Sequence, residues 1–154
     1  MKTLILGIGN PILHDDAIGH KIIEHLQPHI TTNPNIDLKT TQTGGLNLLD
    51  ELIGYDTAIL IDAIKKPQEP TGTIHRIPFT DLHYQAAANP HDVSLPQAIH
   101  LAQQLGETRI PKKIIIIGIV NNNPPQLSEH LSTEMTACIP QAVKTTLAEL
   151  HNNT

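Results

Sequence analysis

Three short runs in this chain, KTLILGI at 2–8, DTAILIDAI at 56–64 and KKIIIIGIV at 112–120, are apolar with little polar alternation. A strand packed on one face alternates apolar and polar side chains. A run that does not alternate is read as buried on both faces, the mark of a parallel sheet between two layers of helix. Helical patterns separate the runs. Ile18, Ile22, Leu26 and Ile30 recur every four residues, an amphipathic helix that Pro28 is expected to end. Leu95, Ile99, Ala102 and Leu105 mark a second helix, with Asp92 or Ser94 as its cap and Pro96 in its first turn. Met135, Ile139, Val143, Leu147 and Leu150 mark the last helix, capped by Ser132 and expected to kink at Pro140.

The remaining segments complete the alternation. IDLKTTQT (36–43) reads as a strand closed by Gly44-Gly45, and LNLLDELI (46–53) as a short helix. TIHRIPF (73–79) alternates well enough for an edge strand or hairpin arm, while TTNPN, KKPQEPTG and NNNPPQ are turns or loops by composition. The expected architecture is α/β and three-layered: a mostly parallel twisted sheet of about five strands with helices on both faces. No repeat or linker interrupts residues 1–154, so a single domain is expected.

Composition narrows the function. Ten Lys+Arg against fifteen Asp+Glu leave a net charge of −5, which argues against nucleic acid as the main partner. Cys138 is the sole cysteine, so neither a disulfide framework nor a CxxC metal site is available. The apolar run Leu4–Ile8 is too short for a signal peptide, and no stretch approaches a membrane span. A cytoplasmic protein with no membrane partner is expected.

In a doubly wound sheet, ligands sit outside the carboxyl ends of the strands. Asp16 follows the first strand, Gly44-Gly45 the second, and Asp62 falls at the end of the third, which puts all of them on one rim. The glycine turn GIGNPILHDDAIG is not a nucleotide loop: Ile12 stands where GxGxxG needs glycine, and the P-loop lysine is missing. Asp15 and Asp16 would repel a phosphate at that helix N-terminus, although either could simply cap the helix. Asp62, at the end of a buried strand, must be solvated, paired or bound to a cation. His91 stands just before the second long helix and could reach the same rim. Two carboxylates and an imidazole suit zinc or nickel with open coordination positions. The i,i+4 pairs Asp16/His20 and His25/His29 have metal-binding spacing too.

Nucleophilic catalysis is poorly supported. Ser94, Ser128 and Ser132 are the only serines, none within GxSxG, and Cys138 falls near the apolar stripe of the last helix. Hydrolysis would then depend on a metal-bound water or on a carboxylate acting as base.

At these residues the chain resembles the hydrogenase maturation protease family, over nearly its whole length. The likeness is carried by Gly7, Gly9, Asn10, Asp15, Asp16 and Gly19 of the opening, the turn TGG, the strand ending IDA, the segment HDVSL, and the run IIIIGIV before a proline-containing loop and a final helix. Ala17 stands where glycine is commoner. The resemblance implies an endopeptidase that removes a C-terminal extension from the large-subunit precursor of a nickel–iron hydrogenase. It assigns Asp16, Asp62 and His91 to metal contact and catalysis, with Gly9, Asn10, Gly44 and Gly45 expected against the substrate. The implied metal is nickel carried by the precursor, read as a signal that maturation is ready for cleavage; zinc or cadmium could replace it in a crystal. Peptidyl-tRNA hydrolase shares a GxGNP turn but needs a histidine–asparagine pair and a basic surface. A non-catalytic nickel-binding adaptor is the alternative from another class.

Overall fold

A computed structural model describes residues 1–81 and 94–152. Among them the chain forms β1 (Thr3–Ile8), α1 (Ile18–Ile30), β2 (Ile36–Thr41), α2 (Gly45–Leu52), β3 (Thr57–Ile64), β4 (Ile74–Pro78), α3 (Leu95–Gln104), β5 (Lys113–Val120) and α4 (Thr133–His151). Single 3-10 turns cover His14–Ala17 and Phe79–Asp81. The strands make one sheet in the order β2-β1-β3-β5-β4. β2, β1, β3 and β5 are mutually parallel, and β4 closes the edge antiparallel to β5.

The unalternating runs behave as two-faced strands. Ile5, Ile59, Ile61, Ile115, Ile117 and Ile119 face α1 and α4 in one buried cluster. Their neighbours Leu4, Leu6, Ala58, Leu60 and Ile114 face α2 and α3 in the other. Because side chains alternate sides along a strand, a three-layer fold demands apolar residues at both parities.

Three local expectations are corrected. Pro28 does not end α1, which runs on to Ile30. Pro28 is on the exposed side, where water can take the carbonyl it leaves unbonded, and the buried Leu26 and Ile30 hold the last turn down. Leu105 is not a core residue: α3 stops at Gln104, and Leu105 is left 79% exposed. Asp62 is not the last residue of its strand, since β3 continues through Ala63 and Ile64. The caps fall as the composition suggests. Ser94, not Asp92, caps α3 in a reciprocal box with Gln97, and Ser132 caps α4, which is helical across Pro140.

Candidate functional site

Among the parallel strands the order reverses at one place. From β1 the chain goes outward to β2 and then returns past β1 to β3, so the topological switch point lies between β1 and β3. Ligands of open α/β sheets bind in the crevice at that point. Asp16 follows β1 and Asp62 lies in β3, so the two flank it.

The turn after β1 is built to bring Asp16 back over the strand end. Gly9 takes φ +146°, and a Cβ there would lie 2.0 Å from the Asp16 carbonyl oxygen. Only glycine lets the two backbones approach this closely. The Asn10 side chain accepts a hydrogen bond from Ile12 N at 3.1 Å, and the Asn10 backbone N–H donates to Asp16 Oδ2 at 2.8 Å. Gly19 secures the second approach. A Cβ on it would lie 2.6 Å from the carbonyl oxygens of both Ile8 and Ile61, so α1 starts directly against the backbones of β1 and β3. The sequence alternative in which Asp15 or Asp16 caps the helix is not realised: neither the 3-10 turn nor α1 has a side-chain cap.

Asp62 sits opposite Gly118 of β5 and is partly buried. Burial pushes its carboxyl up to about 7; the Ala63 N–H works against that rise, and the negative charge of Asp16 adds to it. The two carboxylates therefore sense one another. An ionised pair of this kind is stabilised by a shared cation, and a proton on one of them serves in its absence.

Gly44 and Gly45 stand on the same rim at the start of α2. Gly45 takes φ +60°, while Gly44 is extended and has open space where a side chain would be. His91 lies outside the described residues. Among the described residues no three His, Cys, Asp or Glu side chains form a metal-holding group. In each of the competing i,i+4 pairs one histidine is engaged by a backbone carbonyl. The His20 ring pairs with the Thr41 carbonyl at 3.1 Å, and His25 turns back onto the Lys21 carbonyl at 2.8 Å. His29 is at the far end of α1.

Asp15 is the residue the sequence did not place. Its side chain is 1% exposed and accepts from Asn123 Nδ2 at 2.6 Å and from Ser132 N at 2.7 Å. Nothing local signals this, because both partners are more than a hundred residues away. The candidate nucleophiles are all engaged elsewhere. Ser94 and Ser132 are helix caps, Ser128 organises a turn with His130, and the Cys138 thiol donates to the Met135 carbonyl at 3.0 Å. Burial raises the Cys138 pKa, which suppresses thiolate chemistry.

These features define a class: a doubly wound α/β protein with paired carboxylates at its switch point. Residues 20–149 match the hydrogenase maturation protease family. The hydrogenase 2 maturation protease of Escherichia coli K12 is 29% identical over an alignment of 157 residues, covering 99% of this chain and 93% of its own. The solved structure of the hydrogenase maturating endopeptidase HybD from E. coli superposes with a TM-score of 0.81 at 26% identity, covering 99% of this chain and 94% of that one. The [NiFe] hydrogenase maturation protease HybD from Thermococcus kodakarensis shares the fold, with a TM-score of 0.69 at 24% identity over 96% of this chain and 98% of its own. This chain belongs to the hydrogenase maturation protease family and is an endopeptidase of hydrogenase maturation.

Proposed function

We propose that the protein removes the C-terminal extension of a nickel-loaded hydrogenase large-subunit precursor, with Asp16, Asp62 and His91 contacting the nickel that the precursor carries. The observation that carries this reading is the pair of carboxylates facing the switch point, of which Asp62 is pushed up to about 7 partly by the charge of Asp16. Oxygen donors of this type with an imidazole suit a borderline divalent cation and leave positions open for ligands from the precursor. Nickel is here part of the substrate. A precursor without it offers the acids no cation to share and binds more weakly, which makes the metal the signal for cleavage.

Gly9 and Asn10 shape the wall of this site, and Gly44 with Gly45 leaves room for polypeptide beside it. The acids are the candidates for activating water, since the described serines and the cysteine are committed to structure. No helix among the described residues is long and apolar enough to cross a membrane, and the single unpaired cysteine suits a reducing cytoplasm.

The test is cleavage of a purified nickel-loaded precursor, followed by intact-mass spectrometry. The wild-type chain should shorten the precursor, and Asp16→Ala, Asp62→Ala and His91→Ala should each leave it intact while keeping a folded circular-dichroism spectrum. Normal processing by any of the three removes that residue from the site. Equal processing of the nickel-free precursor overturns the metal-recognition reading.

A further inference from the structure

Asp15 is a buried carboxylate that the proposed chemistry does not use, and what it holds is informative. Its two partners, Asn123 and Ser132, stand near the start and at the end of the loop that follows β5. Between them the loop lies alongside the glycine turn. Ser128 N donates to the Ile12 carbonyl and His14 N to the Ser128 carbonyl, each at 2.9 Å, as a parallel bridge of Leu13 with Ser128. The His14 ring reaches the His130 carbonyl at 2.7 Å. The product is a ledge of two adjoining loop segments beside the glycine turn. The Ser128 N–H bonded to the Ile12 carbonyl places Ile12 and Leu127 on neighbouring backbones. They are 48% and 83% exposed.

A single exposed leucine on a surface loop needs no explanation. Here, however, an apolar pair is held in place by a buried carboxylate and shares its frame with Asp16. Asn10 accepts from Ile12 N through its side chain and donates to Asp16 Oδ2 through its backbone. An endopeptidase must lay a polypeptide across this rim to bring a peptide bond to the acids. The ledge adjoins the turn that holds Asp16, so a side chain meeting it belongs to a residue near the bond cut.

We propose that Ile12 and Leu127 form an apolar subsite that receives a hydrophobic side chain of the precursor beside the scissile bond, and that Asp15 is its positioning residue. The inference rests on the proposed function, which supplies the precursor as the polypeptide. The ledge contributes to choosing which extension is cut, while Asp16 and Asp62 act on the bond itself.

The experiment is steady-state cleavage of the nickel-loaded precursor by Ile12→Gln/Leu127→Gln. Loss of apolar contact in a subsite is expected to raise KM about tenfold with kcat within about twofold. The melting temperature should hold, because both side chains are exposed. Leu105→Gln, equally exposed but at the far end of α3, should match wild type. Asn123→Ala, which removes one of the two donors to Asp15, should raise KM in the same direction. Serine substitutions along the precursor near the cut should give, at one position, a loss that is not additive with that of Leu127→Gln. A wild-type KM for the double variant, additive losses at every position, or a fall confined to kcat overturns the subsite. A wild-type KM for Asn123→Ala removes Asp15 from it. If the wild-type chain leaves the precursor uncut, the functional reading fails and the subsite with it; a cut precursor with an indifferent double variant sinks the subsite alone.

Discussion

The backbone N–H of Asn10 donates to Asp16 Oδ2 at 2.8 Å, so the turn that leaves β1 also aims the first acid of the site. That bond depends on Gly9, whose missing side chain lets the Asp16 carbonyl close over the turn. Gly9→Ala places a methyl group 2.0 Å from that oxygen, in a backbone conformation that alanine resists. The expected cost is about 3 kcal/mol of stability, from strain and overpacking together. Urea denaturation should register it. Precursor cleavage should fall further than the lost stability explains, because the Asp16 carboxylate loses its aim.

Asp62 makes stability depend on pH in the metal-free protein. Its folded carboxyl titrates at about 7 against 3.8 in the unfolded chain. Between these values the folded state holds a proton that the unfolded state has released, so this group's contribution is full below about pH 4 and is lost as the pH rises through about 7. Asp62→Asn cannot ionise and should be more stable than wild type at pH 8 by roughly 2 kcal/mol, with the difference shrinking towards pH 5. Urea titrations at the two pH values check it. A constant difference between the variants would show that Asp62 titrates normally.

The Ser94 cap is a smaller, cleaner test. Its hydroxyl accepts from Gln97 N, while the Gln97 side chain accepts from Ser94 N at 2.8 Å. Ser94→Ala removes half of this reciprocal pair and should cost about 1 kcal/mol. Ser94→Asp keeps an acceptor at the helix start and should recover most of that. Chemical denaturation of the two variants compares them directly.

What could be read without coordinates follows from where the physics is local. The two-faced strands were legible because burial on both sides forbids alternation, and Asp16 was legible as following the first strand because the glycine turn marks where that strand ends. Pro28 and Leu105 misled because periodicity registers apolar spacing but not exposure. Pro28 is harmless on a wet face, and Leu105 continues a pattern beyond the end of its helix. Asp62 was placed too near the strand end because a carboxylate was not expected inside a buried strand, and β3 runs two residues beyond it. Asp15 could not be read at all. It looks like the twin of Asp16 in sequence, and only the return of the 121–132 loop separates a buried tie from a rim acid. His91 remains a sequence assignment, outside the described residues.

The sheet edge is tied to the last helix by one nearly dry carboxylate. Glu149 of α4 is 3% exposed and takes a two-pronged contact from Arg76 of β4, at 2.6 and 2.9 Å, with Lys113 of β5 at 3.2 Å. The Arg76 guanidinium holds the Glu149 carboxyl below its ordinary value, Lys113 adding to the effect. The partners are unequal: Arg76 and Lys113 reach solvent, while Glu149 does not. Removing Arg76 therefore leaves a buried charge with Lys113 alone beside it, whereas removing the anion leaves cations that water can still solvate. Arg76→Met should cost about 3 kcal/mol at pH 7, and Glu149→Gln about 1 kcal/mol. The Arg76→Met deficit should shrink as the pH falls through the carboxylate range, since a protonated Glu149 no longer needs its partner. Equilibrium unfolding of both variants at pH 7 and pH 4 measures the order and the trend; equal costs at pH 7 would show that water reaches Glu149 and that the edge is held by packing instead.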